Sequence, residues 1–204
     1  MADLATQFPT SPSFVSVNFK INSPGQTTES MSGKVRRAGL GVSFYTWEVK
    51  YANLTPQQYG TVIGFVSRTL GQQYSFEIIL PKISYSKATN QTTFVPQTSA
   101  AAAIGAVSVT LSGCGNNKNV LSSGDLFKFA NHSKVYMAVD NCVSNGSGVA
   151  TLFFSGPLQY AVPSSTTLVI TAVPLTAILA EDVQEFDVGV GGITSLGLQM
   201  REVW

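Results

Sequence analysis

Apolar and polar residues alternate along residues 14–21, which read FVSVNFKI. Successive side chains on a strand point to opposite faces, so this pattern predicts a half-buried β-strand. The turn sequence NSPG follows at residues 22–25. Residues 29–37 are more polar and end in basic residues, and their weaker alternation predicts a less certain strand there.

The same alternation returns with larger side chains in residues 42–51, VSFYTWEVKY. Tyr45, Trp47 and Tyr51 share one face of the predicted strand, and Phe44 lies on the other face with charged neighbours. Because large rings stabilise a core most per residue, we expect the face with Trp47 to be buried.

The next segment carries the signals of a helix start and stop. Thr55 can serve as the N-cap, Pro56 suits the first helical position, and Gln58 stands where a capping box needs it. An apolar stripe at helical spacing follows, and Gly71 supplies a stop. The sequence therefore predicts one helix over about 55–70.

Short apolar runs separated by Asn, Gly and Ser clusters fill the middle of the chain, which is typical of a small antiparallel barrel or sandwich. We expect a mainly β protein, with an antiparallel β-sandwich and one α-helix. The sandwich domain is predicted to be discontinuous, formed by 1–93 plus 164–204. A small barrel-like antiparallel β domain, 94–163, is predicted to be inserted into it.

Charge is scarce in this chain: 11% of the 204 residues are charged, and the net charge is +1. An ordinary soluble domain has about 25% charged residues. This balance gives no electrostatic case for binding a membrane or a specific nucleic acid. Residues 1–14 contain no apolar segment typical of a secretory signal, so we expect synthesis in a cytoplasm.

The residues that could carry chemistry are few. His132 is the one histidine, and no GxSxG motif accompanies it. Asp125 and Asp140 fall in one predicted domain, which leaves an acid–base pair as a minor alternative. We expect the acidic residues of 181–187 to form a solvated or subunit-contact face. The sequence predicts no enzyme activity, no cofactor and no metal.

Cys114 and Cys142 match no zinc motif and are too few for a disulfide framework. We expect two buried or half-buried thiols. Their pairing is left open, although a reducing cytoplasm disfavours it.

Several motifs occur in a recognisable order. KVRR at 34–37 is followed by YTWEV at 45–49, by the capped helix, and by a strand that closes on Leu80-Pro81. This order resembles the ring-forming β-sandwich of phage tail-tip proteins, namely the distal tail proteins and the minor tail protein M of lambda-like phages. A second likeness, to tail or baseplate proteins of marine phages, rests on FPTSPSFVSVNF at 8–19 and on GDLFKF at 124–129.

This resemblance implies a virion structural protein of the tail tip or baseplate. It implies a closed ring of copies of the chain, usually a hexamer, that joins the tail tube to the hub and to host-binding fibres. Such subunits hide much of their surface against neighbours, and interfaces are depleted in Lys, Glu and Asp. The residues predicted for the interface, where they are not part of the core, are Lys34, Arg36, Arg37, Phe44, Trp47 and Tyr51.

Two other functions compete with this interpretation. The inserted domain could be a glycan-binding or host-adhesion module, whose stacking surface would use Tyr136, Phe153, Phe154 and Tyr160. A hydrolase acting on cell-wall polymer is the third hypothesis, and it would depend on His132 or Asp125.

Overall fold

A computed structural model of the protein describes residues 7–88, 94–189 and 192–204, so part of the N-terminus on which the signal-peptide argument rests lies outside it. The described part of the chain contains one α-helix and sixteen β-strands, and every strand-to-strand ladder is antiparallel. The predicted mainly β class with one helix is therefore confirmed. The elements are β1 Ser16–Asn22, β2 Gly25–Glu29, β3 Val35–Gly39, β4 Phe44–Leu54, α1 Pro56–Thr69, β5 Phe76–Ile78, β6 Gln97–Thr98, β7 Ser108–Ser112, β8 Asn119–Leu121, β9 Leu126–Phe129, β10 Val135–Met137, β11 Cys142–Val143, β12 Ala150–Phe153, β13 Leu168–Val169, β14 Leu175–Leu179, β15 Asp187–Gly189 and β16 Gly192–Glu202.

Contacts between residues divide the chain into two compact units. The first unit comprises the described residues of 1–22, 44–79 and 174–204, and the second comprises those of 23–43 and 80–173. The sequence prediction placed the boundaries at 93/94 and 163/164 and kept 23–43 with the first domain. Residues 89–93, which adjoin the first of these boundaries, lie outside the described residues.

The first unit contains a six-stranded sheet in the order β1-β4-β16-β14-β5, with β15 also paired to β16. Along β4 the burial alternates as predicted: Tyr45, Trp47 and Tyr51 are buried. On β1 the alternating face is only half-buried, and Ile21 is 54% exposed. The reason is position, because β1 is an edge strand whose one neighbour is β4.

The helix α1 packs on β4 and β16 in the first unit. Its capping box is formed, and the Gln58 side chain accepts a hydrogen bond from the Thr55 N–H at 3.0 Å. At the other end Leu70 is already left-handed, with φ 48°, so its side chain turns out to 59% exposure. Phe65 is buried, and its ring centroid lies 5.1 Å from that of Phe76 on β5.

The second unit has one hydrophobic core beneath several small sheets. Its central aromatic group joins Phe127 and Phe129 of β9 to Tyr136 of β10 and to Phe154, with ring centroids 5.4–6.4 Å apart. None of the described sheets closes into a barrel, so the barrel-like form predicted for the insertion is wrong. Strands of two to five residues, in sheets of two or three strands, are too short to form a continuous hydrogen-bonded ring.

Candidate interaction surfaces

The hairpin of β2 and β3 is the most exposed regular structure in the described chain. All ten of its strand residues are exposed. The registers run from Gly25 opposite Gly39 to Glu29 opposite Val35, and β2 and β3 form a sheet by themselves. Because no other described strand pairs with them, both outer edges of the hairpin are open to further pairing. An isolated two-stranded hairpin is at best marginally stable in water, so a further contact would stabilise it.

The turn of this hairpin lies where the sequence predicted a weak strand, and the difference has a local cause. The Ser30 N–H donates to the Lys34 carbonyl at 3.0 Å, and the Lys34 N–H donates to Ser30 Oγ at 3.2 Å. Gly33, with φ 76°, provides the left-handed residue that closes the turn. Polar residues with local hydrogen bonds form the turn, and residues 25–29 and 35–39 form the two strands.

Three positive charges lie on this hairpin. Arg36 lies opposite Thr28 and Arg37 opposite Thr27, so the two guanidinium groups project from opposite faces. Lys34 is exposed in the turn. Among the described residues none of these three has a salt bridge. Glu29 is the one acidic residue of 25–39, so the hairpin carries a net charge of about +2.

The base of the hairpin is held within the second unit. The Gln159 Nε2 donates to the carbonyls of Gly41 at 3.2 Å and Pro157 at 2.9 Å. A Cβ on residue 156 would lie 2.5 Å from Ser43 Oγ, so the close approach there requires Gly156. A groove of ≈ 480 Å³ lies at this base and includes Arg37 in its lining. The hairpin is thus anchored at one end and exposed along its length.

A second surface lies on the first unit, where the chain of 181–187 runs beside β16. All four of its carboxylate residues are exposed, and none has a salt bridge in the described structure: Glu181, Asp182, Glu185 and Asp187. Two apolar side chains stand among them, Val183 at 72% and Phe186 at 42% exposure. We call this segment together with Ser195, Gly197 and Gln199 the acidic groove.

The acidic groove lies at an interruption in the sheet. β16 pairs with β15 up to Ser195 and with β14 from Met200 onward, while residues 196–198 pair with no described strand except β4. The opening includes cavities of ≈ 640 and ≈ 260 Å³. The exposure of Val183 and Phe186 was not predicted from the sequence, although both apolar residues lie among four carboxylates.

Two of the three aromatic residues predicted for an interface are buried inside the first unit. Trp47 and Tyr51 are each 2% exposed, so they belong to the core and have no surface to offer a partner. Burial also raises the pKa of the Tyr51 hydroxyl, which stays protonated. Phe44 is half-buried, and the Arg201 guanidinium lies 4.5 Å from its ring centroid. The interface prediction therefore retains Phe44 and the three basic residues.

The four aromatics predicted to stack on a glycan also divide. Tyr136 and Phe154 are 1% and 3% exposed and form part of the core of the second unit. Phe153 and Tyr160 are 46% and 42% exposed, because Phe153 takes the outer position on β12 next to buried Leu152. No ring contact among the described residues joins Phe153 to Tyr160. Half of the predicted stacking surface is thus buried.

His132 lies in an aromatic setting. Its ring centroid is 5.2 Å from Tyr160 and 5.7 Å from Phe129, and Nδ1 hydrogen-bonds with Asn131 Oδ1 at 2.9 Å. Burial, with the charges of Lys128 and Lys134 as lesser causes, lowers the pKa of His132 to about 4. The imidazole is neutral near pH 7, and its buried Nε2 has no hydrogen-bond partner.

Asp125, the other candidate for chemistry, is engaged in structural hydrogen bonds. It is 1% exposed and accepts hydrogen bonds from Ser86, Lys87 and Ser122. Its supposed partner Asp140 is exposed. Within residues 7–88, 94–189 and 192–204, no three metal-ligating side chains come together.

Both cysteines are buried and free. Burial raises the pKa of Cys114 to about 11 and that of Cys142 to about 12, the latter with a contribution from Cys114. Neither thiol is ionised near pH 7, so both are poor nucleophiles.

Comparison of the chain with models of known protein families and with curated proteins found no match. In the described residues no helix has the length and apolar character needed to cross a bilayer.

Proposed function

We propose that this protein is a structural subunit of a virus particle that assembles with copies of itself into a ring at the tail tip or baseplate. The assignment to a phage tail rests on the resemblance of the motifs at 34–37, 45–49 and 55–81. In that setting the ring joins the tail tube to the hub and to host-binding components. The function is mechanical, and the relevant chemistry is that of subunit contacts.

The observation that carries the assembly part of the proposal is the β2–β3 hairpin. A domain gains nothing in core burial from ten strand residues that are all exposed. Apolar side chains on or beside the hairpin are exposed too, with Met31 at 110%, Val35 at 46% and Leu40 at 61%. Anchored at its base and unpaired at its edges, such a hairpin is suited to pairing with a neighbouring subunit.

Light scattering coupled to size-exclusion chromatography tests the assembly directly. The full-length chain should form a discrete oligomer, with a hexamer as the expectation from the resemblance. A variant in which residues 26–38 are replaced by a short Gly-Ser turn should be monomeric. A wild-type chain that stays monomeric up to high micromolar concentration would count against self-assembly.

The position in the particle needs a separate test. A labelled copy imaged by negative-stain microscopy should be found at the end of the tail. Label elsewhere on the particle would refute the tail-tip part of the proposal while leaving the ring intact. The alternative of a glycan-binding module now depends on the two exposed rings of Phe153 and Tyr160, and binding on a glycan array would favour it.

A further inference from the structure

The structure carries two exposed surfaces of opposite charge. The hairpin of 25–39 is positive through Lys34, Arg36 and Arg37, and the acidic groove is negative through the four carboxylates of 181–187. None of these seven groups has a salt bridge within the described structure. Charges of one sign that gather on one exposed segment and have no salt bridge there are typical of a site that meets the opposite sign.

We infer that the β2–β3 hairpin of one copy docks in the acidic groove of a second copy. This inference rests on the proposed self-assembly and identifies the surfaces that make the contact. The two surfaces differ in sequence and position, so the contact is heterologous, head to tail. Heterologous contacts close into rings when the rotation between neighbours permits it.

The shapes of the two surfaces agree with this contact. Among the described residues, β4 is the one strand that pairs with residues 196–198 of β16, where the acidic groove opens. The larger opening, of ≈ 640 Å³, is shallow and broadly open to solvent, so the surface of another chain can reach it. A hairpin edge with free backbone groups can fill such an opening, and its side chains can enter the cavity.

The apolar residues on each surface also complement one another. Met31 and Val35 are exposed on the hairpin, while Val183 and Phe186 are exposed among the carboxylates. Specific interfaces commonly have an apolar centre and a polar, charged rim. Burial of these side chains would stabilise the contact, and the opposed charges would orient it.

Charge reversal on each surface tests the inference. The hairpin variant carries Arg36→Glu with Arg37→Glu, which changes the charge of residues 25–39 from about +2 to about −2. The groove variant carries Glu181→Lys, Glu185→Lys and Asp187→Lys, which changes the charge of residues 181–187 from about −4 to about +2. All five side chains are exposed, so the fold should persist, and the thermal unfolding midpoint checks this. Because like charges would then face each other, each variant alone should associate on the order of 100-fold more weakly than the wild-type chain in light scattering at 0.15 M salt.

Recombining the variants makes the test specific. The chain with all five substitutions should regain assembly, because its negative hairpin meets a positive groove. An equimolar mixture of the hairpin variant and the groove variant should also assemble, since each hairpin then meets a groove of the opposite sign. The control matched to the hairpin variant, Lys82→Glu with Lys118→Glu, makes the same change of about −4 in net charge at exposed positions elsewhere and should leave assembly unchanged.

The outcomes distinguish a failure of the docking contact from a failure of self-assembly. If the wild-type chain forms oligomers and the groove variant does so equally well, the docking contact is refuted and self-assembly stands. If the reversed chains fail and the variant with all five substitutions does not recover, the hairpin and groove do not meet each other, and a different partner uses one of them. If the wild-type chain is monomeric, the proposed assembly fails and the docking contact fails with it.

Discussion

Asp125 is the residue whose replacement tests the organisation of the second unit most directly. Its side chain is 0% exposed and accepts hydrogen bonds from the Ser86 hydroxyl, from the Lys87 N–H at 3.1 Å and from the Ser122 N–H at 2.9 Å. The carboxylate thereby ties residues 86–87 to the turn before β9. The Lys87 ammonium lies 3.7 Å away, but that side chain is 63% exposed, so this ion pair contributes little.

The expected loss follows from the donors that Asp125→Ala leaves behind. Two backbone N–H groups and one hydroxyl lose their acceptor, and each buried unsatisfied donor costs about 1–3 kcal/mol. These groups are only partly buried and some can regain water, so we expect a total loss of about 3–4 kcal/mol. Asp125→Asn keeps an oxygen where Ser86, Lys87 and Ser122 converge on Oδ2, and it should lose about 1–1.5 kcal/mol.

Urea unfolding followed by circular dichroism measures these free energies, with Lys87→Ala as the control that should lose less than about 0.5 kcal/mol. Hydrogen exchange should place the loss of protection in 84–88 and 119–129. An Asp125→Ala variant within about 1 kcal/mol of the wild-type chain would refute the structural role. That result would also favour the alternative in which the Asp125 carboxylate is a catalytic group.

Two further predictions concern backbone conformation and pH. Gly71→Ala should lower the free energy of unfolding by about 1–2 kcal/mol, because φ is +67° at this position and the new Cβ would lie 2.7 Å from Asp182 Oδ1. Gly64 lies on α1 with no atom close to a new Cβ, so Gly64→Ala should raise the free energy of unfolding by about 0.5–1 kcal/mol. Equal effects of the two substitutions in thermal unfolding would contradict this account. Since the pKa of His132 is lowered to about 4, the unfolded chain binds more protons between about pH 4 and 6.5. The free energy of unfolding should therefore rise by about 1–2 kcal/mol as the pH increases across that window, after allowance for solvent screening. The His132→Gln variant should not show this pH dependence. The same pH dependence in the variant would show that other groups titrate.

The parts of the fold that sequence predicted well are those fixed by neighbouring residues. The start of α1 could be predicted because Thr55, Pro56 and Gln58 act within one turn. The buried face of β4 could be predicted because the pleat alone decides which side chains share a face. The end of α1 was predicted less well. Leu70 extends the apolar stripe in the sequence, but its left-handed conformation turns its side chain toward solvent and leaves Thr69 buried.

The parts that sequence did not predict depend on residues far apart in the chain. Residues 23–43 belong to the second unit, and the Gln159–Gly41 hydrogen bond that helps to hold them there spans 118 positions. Glu202 is 1% exposed and accepts a hydrogen bond from the Tyr45 N–H at 3.2 Å, although a charged residue would ordinarily be placed in solvent. Hydrophobic patterns contain no information on such long-range partners, and alternation on one strand did not decide whether Trp47 and Tyr51 lie in a core or at an interface; the structure buries both.

The net charge of +1 has a different meaning once the charges are located. As a sum it argued only against nucleic acid and membrane surfaces. In the proposed contact, opposite charges on the hairpin and the acidic groove would orient neighbouring copies, while the near-neutral total would keep repulsion between whole subunits small at any copy number. Salt should then weaken assembly, because it screens the oriented attraction and has little repulsion to relieve. A subunit of high net charge with an apolar interface would respond in the opposite direction, so the sign of the salt dependence distinguishes the two designs.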